Sequence, residues 1–127
     1  MKLNGEDTEG RFALIESENL PGIGPPLHIH RREDEAFYII EGEVEFTLGE
    51  RRTVAGAGTT VFLPKDSLHT WKVVGTQRAR FLIMLMPAGG EQYFRELSAL
   101  GAVGPPDMAA VLEVSGRYGI EFPGLGS

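Results

Sequence analysis

Cysteine is absent from the 127 residues, which excludes disulfides, thiolate metal sites and thiol nucleophiles together. Long hydrophobic runs are absent too. The longest apolar stretch, FLIMLMPA from Phe81 to Ala88, falls far short of the roughly 20 residues a membrane helix requires. The amino-terminal stretch MKLNGEDTEGRF is polar and acidic where a secretory leader would carry an apolar core, so a cytoplasmic protein with no membrane partner is expected. Positive charge is scarce: 12 Lys and Arg against 18 Asp and Glu give a net charge of −6. A nucleic-acid partner would need the opposite balance, because phosphate binding displaces counterions with cationic side chains. The basic doublets Arg31-Arg32, Arg51-Arg52 and Arg78 with Arg80 each lie beside acidic residues or a turn and read as solvated surface. No phosphate loop is encoded, since GAGTT lacks the lysine and the following helix.

What is plentiful is the punctuation of short strands. Glycine occurs 17 times and proline 8 times, favouring frequent turns. The length suits one domain, residues 1–127, with a single core. From about residue 11 to 86 the chain reads as strands: RFALIE, LHIH, EAFYIIEG closed by Gly42, EVEFTLGE, TTVFLP stopped by Pro64, HTWKVVG and ARFLIMLM. EVEFTLGE alternates strictly, with Val44, Phe46 and Leu48 on one face, the pattern of a half-buried strand. ARFLIMLM is unbroken in its apolar character, which predicts burial on both faces. Strands this short with glycine-rich turns indicate an all-β antiparallel sandwich or barrel. From about 90 to 119 the periodicity changes to helical. GGEQYFRELSALG places Phe94, Leu97 and Leu100 on one face with Gly101 as a stop, and a second helix begins at Asp107 as N-cap and ends near Gly119. Both helices are expected against the outside of the barrel, with Tyr93 and Tyr118 as packing residues.

Histidine is scarce and informative. Of three in the chain, two are His28 and His30. Residues two apart in a strand share a face, about 6.6 Å apart, so the two imidazoles project side by side within reach of one ion. Glu35 can return from the next strand after the turn Arg31–Asp34, and His69 can add a fourth ligand from a neighbouring strand. The residues of that turn, Glu33 and Asp34 included, carry no expected role. Asp66 and Ser67 read as capping the turn before His69.

These segments resemble the cupin superfamily. Its first motif, glycine, five residues, His-x-His, three or four residues, glutamate, six residues, glycine, is matched throughout by Gly22, His28, His30, Glu35 and Gly42. Its second motif is matched by Gly58, Pro64 and His69, but Asp66 stands in place of a glycine and Val73 in place of an asparagine. The resemblance implies a jelly-roll barrel with two short C-terminal helices. It also implies one divalent transition metal, Fe, Mn, Ni, Cu or Zn, held by His28, His30, Glu35 and His69. Small cupins commonly form homodimers, and the strand RFALIE is a candidate edge for pairing.

PAGGEQYFREL and RYGIEF further resemble the tails of quercetinase-like cupins. That resemblance implies a dioxygenase in which Glu35 both ligates and takes the substrate's hydroxyl proton. Trp71, two residues beyond His69, and Phe37 and Ile39, beyond Glu35, share the inward face of their strands and are expected to wall a pocket for a small apolar or aromatic oxygenated substrate. The competing readings are a cupin that binds or senses a small ligand without turnover, and a sugar or keto-acid isomerase. The second would want polar and basic groups in the cavity.

Overall fold

The computed structural model describes residues 2–101 and 108–125. Among the described residues nine strands form two antiparallel sheets that enclose the core. The strands are β1 (Ala13–Asn19), β2 (His28–His30), β3 (Asp34–Glu41), β4 (Glu43–Leu48), β5 (Arg51–Ala55), β6 (Thr60–Leu63), β7 (Leu68–Val74), β8 (Ala79–Met86) and β9 (Ile120–Glu121). One sheet runs β1-β8-β3-β6 and the other β5-β4-β7-β2-β9. Between β8 and β9 lie the helices α1 (Glu91–Gly101) and α2 (Met108–Arg117). The all-β jelly-roll barrel with two C-terminal helices is the architecture expected. The proposed N-cap of α2, Asp107, lies outside the described residues.

Alternation builds the core. In β3 the buried positions are Glu35, Phe37 and Ile39, and in β4 Val44 and Phe46. β8 departs from expectation. Ala79, Phe81, Ile83 and Leu85 are buried, while Arg80, Leu82, Met84 and Met86 are only half-buried. Its continuous apolar run therefore reflects one face in the core and one on the outer surface of the first sheet. There, Leu14, Met84, Ala36 and Phe62 align across all four strands, and Tyr38 and Phe62 are 45% and 55% exposed. The β1 edge is partly covered, because the Leu14 carbonyl accepts the Lys2 N–H and the Leu14 N–H donates to the Leu3 carbonyl, both at 2.8 Å.

Two strands escape the sequence reading. Arg51–Val54 in β5 are exposed, and only Ala55 is buried, so the strand has no apolar period; its charges suit an edge. β9 has two residues, too few for any pattern. The glycine that closes β3 is required. Gly42 has φ +80°, and a Cβ there would lie 2.7 Å from the Arg78 carbonyl oxygen, closer than a side chain tolerates. Asp66, at the position where the second motif has glycine, adopts φ +68° itself. Aspartate is one of the few L-residues that visit this region readily, so the turn keeps its left-handed geometry. Val73 is fully buried in the core, so that motif position is apolar here.

Candidate metal centre

The strand register brings the ligands together. His28 faces His69 across the β2–β7 pair, and the inward alternation of β2 puts His30 beside them. Glu35 projects inward from β3 in the opposite sheet. All four side chains are buried, at 6% or less exposure. One potential ligand atom from each lies within 4.8 Å of the others. Ring centroids are 4.5 Å apart for His28–His69, 5.0 Å for His28–His30 and 5.6 Å for His30–His69.

Each imidazole is oriented through its outer nitrogen. The Nδ1–H of His28 donates to the Pro26 carbonyl at 2.8 Å, that of His69 to the Ser67 carbonyl at 3.1 Å, and that of His30 to Glu33 Oε1 at 2.6 Å. The Nε2 atoms are thereby left for the interior. Glu35 Oε1 lies 2.7 Å from His30 Nε2 and 3.4 Å from His69 Nε2, close ion-pair contacts that still leave Glu35 Oε1 and His69 Nε2 without a well-formed hydrogen bond. Two buried polar atoms left in this way cost about 1–3 kcal/mol each. A cation among them removes that cost. Three imidazoles and one carboxylate suit the transition metals named above, so the donor set fits a metal.

Electrostatics without the ion are lopsided. Burial lowers the pKa of His28 to about 4, helped by the neighbouring charges of His30 and His69. Burial acts on His30 in the same direction but is outweighed by the adjacent carboxylates of Glu33 and Glu35, which raise it to about 9. Burial would raise Glu35, but the contacts with His30 and His69 prevail and hold it at about 2.

The cluster opens into a cavity of about 190 Å³. Its apolar wall comes from Ile23, Pro25, Trp71 and Ile83 of the barrel and from Tyr93, Phe94, Leu97 and Phe122 of the C-terminal segment. Trp71 lies in this wall. Phe37 and Ile39 do not; they are 1% and 0% exposed within the core, with Phe37 edge-on to Phe46 at 5.1 Å. The helices do not simply lie outside the barrel. They cap its open end, and Phe122 packs its ring 5.6 Å from His28. Tyr93 donates to Ser115 Oγ at 2.8 Å, because the Ser115 hydroxyl is itself committed to the Val111 carbonyl at 2.6 Å. That bond joins α1 to α2.

Sequence reasoning misses two further things. Glu33 is 4% exposed and holds His30, and the only available signal is its place three residues beyond that histidine. Arg31 and Arg32 are not merely solvated: Arg31 pairs with Glu121 at 2.5 Å, and Arg32 donates to the Arg117 carbonyl at 2.8 Å. Both fasten the cap.

A β-barrel holding three histidines and a glutamate at one end defines a class of jelly-roll proteins with a site able to bind a metal. The cupin-domain family model matches residues 18–85, and the chain belongs to that family. It is similar to quercetin 2,3-dioxygenase of Bacillus subtilis (strain 168), 24% identical over 92 residues, 72% of this chain and 27% of that enzyme. The chain thus matches about a quarter of that enzyme's length. Among solved structures it is similar to the TT1209 protein of Thermus thermophilus (27% identity, TM-score 0.57, covering 61% of this chain and 74% of that one). It is also similar to a predicted oxalate decarboxylase of Thermotoga maritima (24% identity, TM-score 0.63, covering 67% and 75%). Among the described residues no helix is long and apolar enough to cross a membrane.

Proposed function

We propose that this cupin is a metal-dependent dioxygenase of a small, uncharged, apolar or aromatic substrate bearing an enolisable oxygen. The observation that carries the reading is the convergence of the buried Glu35 carboxylate with three imidazoles at the wall of an apolar cavity. A divalent transition metal held by His28, His30, Glu35 and His69 supplies Lewis acidity toward a substrate oxygen and, where redox-active, reactivity toward dioxygen. Glu35 takes the substrate's hydroxyl proton, a role suited to a carboxylate within the cluster rather than at its rim. Trp71, Phe94 and Phe122 seat a flat apolar body and exclude water. The similarity to a quercetin dioxygenase supports the same chemistry.

The cavity constrains the substrate further. No lysine or arginine is among its lining residues, and residues 102–107, AVGPPD, contain no basic side chain. A substrate with a second anionic group, such as a sugar phosphate, would find no cationic partner, which disfavours the isomerase reading. At about 190 Å³ the space is below the about 300–1,000 Å³ of pockets that take drug-sized ligands, so a single-ring compound fits better than a three-ring one.

The test is oxygen uptake by protein loaded in turn with iron, manganese, nickel and copper. Small 1,3-diketones and enols should support consumption. Tight binding of such compounds without oxygen uptake under any metal overturns the dioxygenase and leaves a ligand-binding cupin. For the assembly, we propose that two copies pair through the outer face of the first sheet. Two exposed aromatic side chains in adjacent rows of that face, Phe62 beside Ala36 and Tyr38 beside Leu82, support it, since such patches commonly mark contacts. Phe62→Glu should then shift the sedimentation coefficient from dimer to monomer, and a monomeric unaltered protein would refute the pairing.

A further inference from the structure

The three imidazoles are not held alike. His28 and His69 donate to main-chain carbonyls, whereas His30 donates to a carboxylate, Glu33, with both side chains only 4–5% exposed. A carboxylate partner fixes the ring's orientation more firmly than a carbonyl does and makes the inner nitrogen a stronger donor. Glu33 therefore distinguishes His30 from the other two.

The far side of Glu33 meets the cap. A Cβ added to Gly90 would lie 3.3 Å from Glu33 Oε2 and 3.2 Å from Leu85 Cδ1. No larger residue fits there without displacing that carboxylate or the core leucine. Gly90 begins the turn into α1, where its carbonyl accepts the Tyr93 N–H at 3.0 Å. The turn is anchored beside it by Glu91, a 2% exposed residue whose carboxylate accepts the N–H groups of Gly5, at 2.7 Å, and of Gly89. Tyr93 and Phe94, one turn further on, wall the cavity. A continuous path thus runs from His30 through its hydrogen bond to Glu33, past Gly90 whose missing side chain leaves room for that carboxylate, to the aromatic face of α1.

We propose that Glu33 is a positioning residue that couples the metal ligand His30 to the first turn of α1, so that metal occupancy and the seating of the cap stabilise each other. The proposal rests on the metal reading above. Coupling of this kind is reciprocal: a change at the helix start alters metal affinity, and metal alters the protection of the helix. A carboxylate wedged between the two is the element through which both act.

Cobalt(II) binding to the full chain tests it, read by competition with a chelator and by the visible absorption of the bound ion. Glu33→Gln keeps the shape and removes the charge; it should weaken binding by about 10- to 100-fold and shift the cobalt spectrum. Gly90→Ala touches no ligand, yet should weaken binding by about fivefold or more. The double variant should lose little beyond Glu33→Gln alone, because both act through one contact. Should Glu33→Gln fail to fold, Glu33→Asp, which keeps the charge and withdraws the oxygen, serves in its place with the same expected loss. Cobalt should also slow hydrogen exchange of α1 amides in the unaltered protein and not in Glu33→Gln. Unchanged affinity and spectrum in Glu33→Gln, or a Gly90→Ala that binds as the parent does, overturns the coupling while leaving the metal site intact. An unaltered chain that takes up no cobalt overturns both.

Discussion

The barrel and its cap divide the labour of the site. The barrel owns one apolar cluster, from Ala13 to Leu85, and all four candidate ligands. The cap owns a second, smaller cluster of Tyr93, Val114, Ile120 and Phe122, and Phe94 packs against both. The ligands are fixed by strand register, which a sheet specifies rigidly. Half of the apolar wall beside them comes from the cap, from Tyr93, Phe94 and Leu97 of α1 and from Phe122, a part that should change with less consequence for the fold. Under the proposed function, holding an ion falls to the barrel and shaping the substrate's space falls in part to the cap, two parts that should differ in stability.

The largest effect expected is on the barrel side. Phe37→Ala removes a 1% exposed ring packed against Phe46 and Phe81 and should cost about 3–5 kcal/mol. Val114→Ala in the cap core should cost about 1–2 kcal/mol, from two buried methyl groups at most. Urea titrations would compare them, and equal losses would erase the proposed distinction.

The next effect is pH-dependent and belongs to the ligands. His30 is raised from 6.5 to about 9 in the folded metal-free protein. The stability it contributes is complete below pH 6.5 and is lost as pH rises toward 9. His28 is lowered to about 4, so the folded state resists its protonation, and stability is lost as pH falls from 6.5 toward 4. Metal-free protein should therefore be most stable near pH 6.5 and lose up to about 3 kcal/mol on either side. Metal displaces the proton from His30, so its affinity should rise by about tenfold per pH unit toward pH 9. Thermal melts of chelator-treated and metal-loaded protein across this range are the measurement. A flat metal-free profile would remove the electrostatic contrast between ligands and cap.

These contrasts track what the sequence makes legible. His28 and His30 two apart, Glu35 in register with Phe37, and His69 in register with Trp71 follow from the period of a strand, and the structure converges them as read. The cap is harder. Helical spacing of Phe94, Leu97 and Leu100 says that a face is buried, not what it is buried against, and so the pattern alone places the helices outside the barrel rather than over its mouth. Glu33 carries the look of a solvated turn residue; its burial depends on Gly90, more than fifty positions away, and no local pattern reports that. Phe37 and Ile39 share Glu35's face, but the face extends past the cavity into the core.

A smaller effect sharpens the cap's share. Phe94→Ala removes a half-buried ring from the cavity wall and should cost only about 1–2 kcal/mol. It should widen the space and raise the affinity for a three-ring flavonol relative to a single-ring enol, as read by calorimetry. Unaltered selectivity would move the choice of substrate back to the barrel, to Trp71.

The smallest effect is expected at Asp66, where the barrel departs from its family motif without departing from its geometry. Its φ of +68° costs an ordinary L-residue about 1–2 kcal/mol, and less for aspartate. Asp66→Gly relieves that strain, but glycine gains freedom in the unfolded chain worth about 0.5–1 kcal/mol, and the exposed 3.4 Å pair with Arg31 is lost, a weak contribution. The terms oppose, so the net change should stay within about 0.5 kcal/mol, a shift of about 2 °C in melting temperature. The Asp66 N–H still donates to the His30 carbonyl at 2.8 Å, a main-chain bond that glycine retains, and metal affinity should not move. A gain well beyond this would mean that the turn before His69 stores strain on the ligand's behalf, and that the barrel, not only the cap, is tuned through positions remote from the ion.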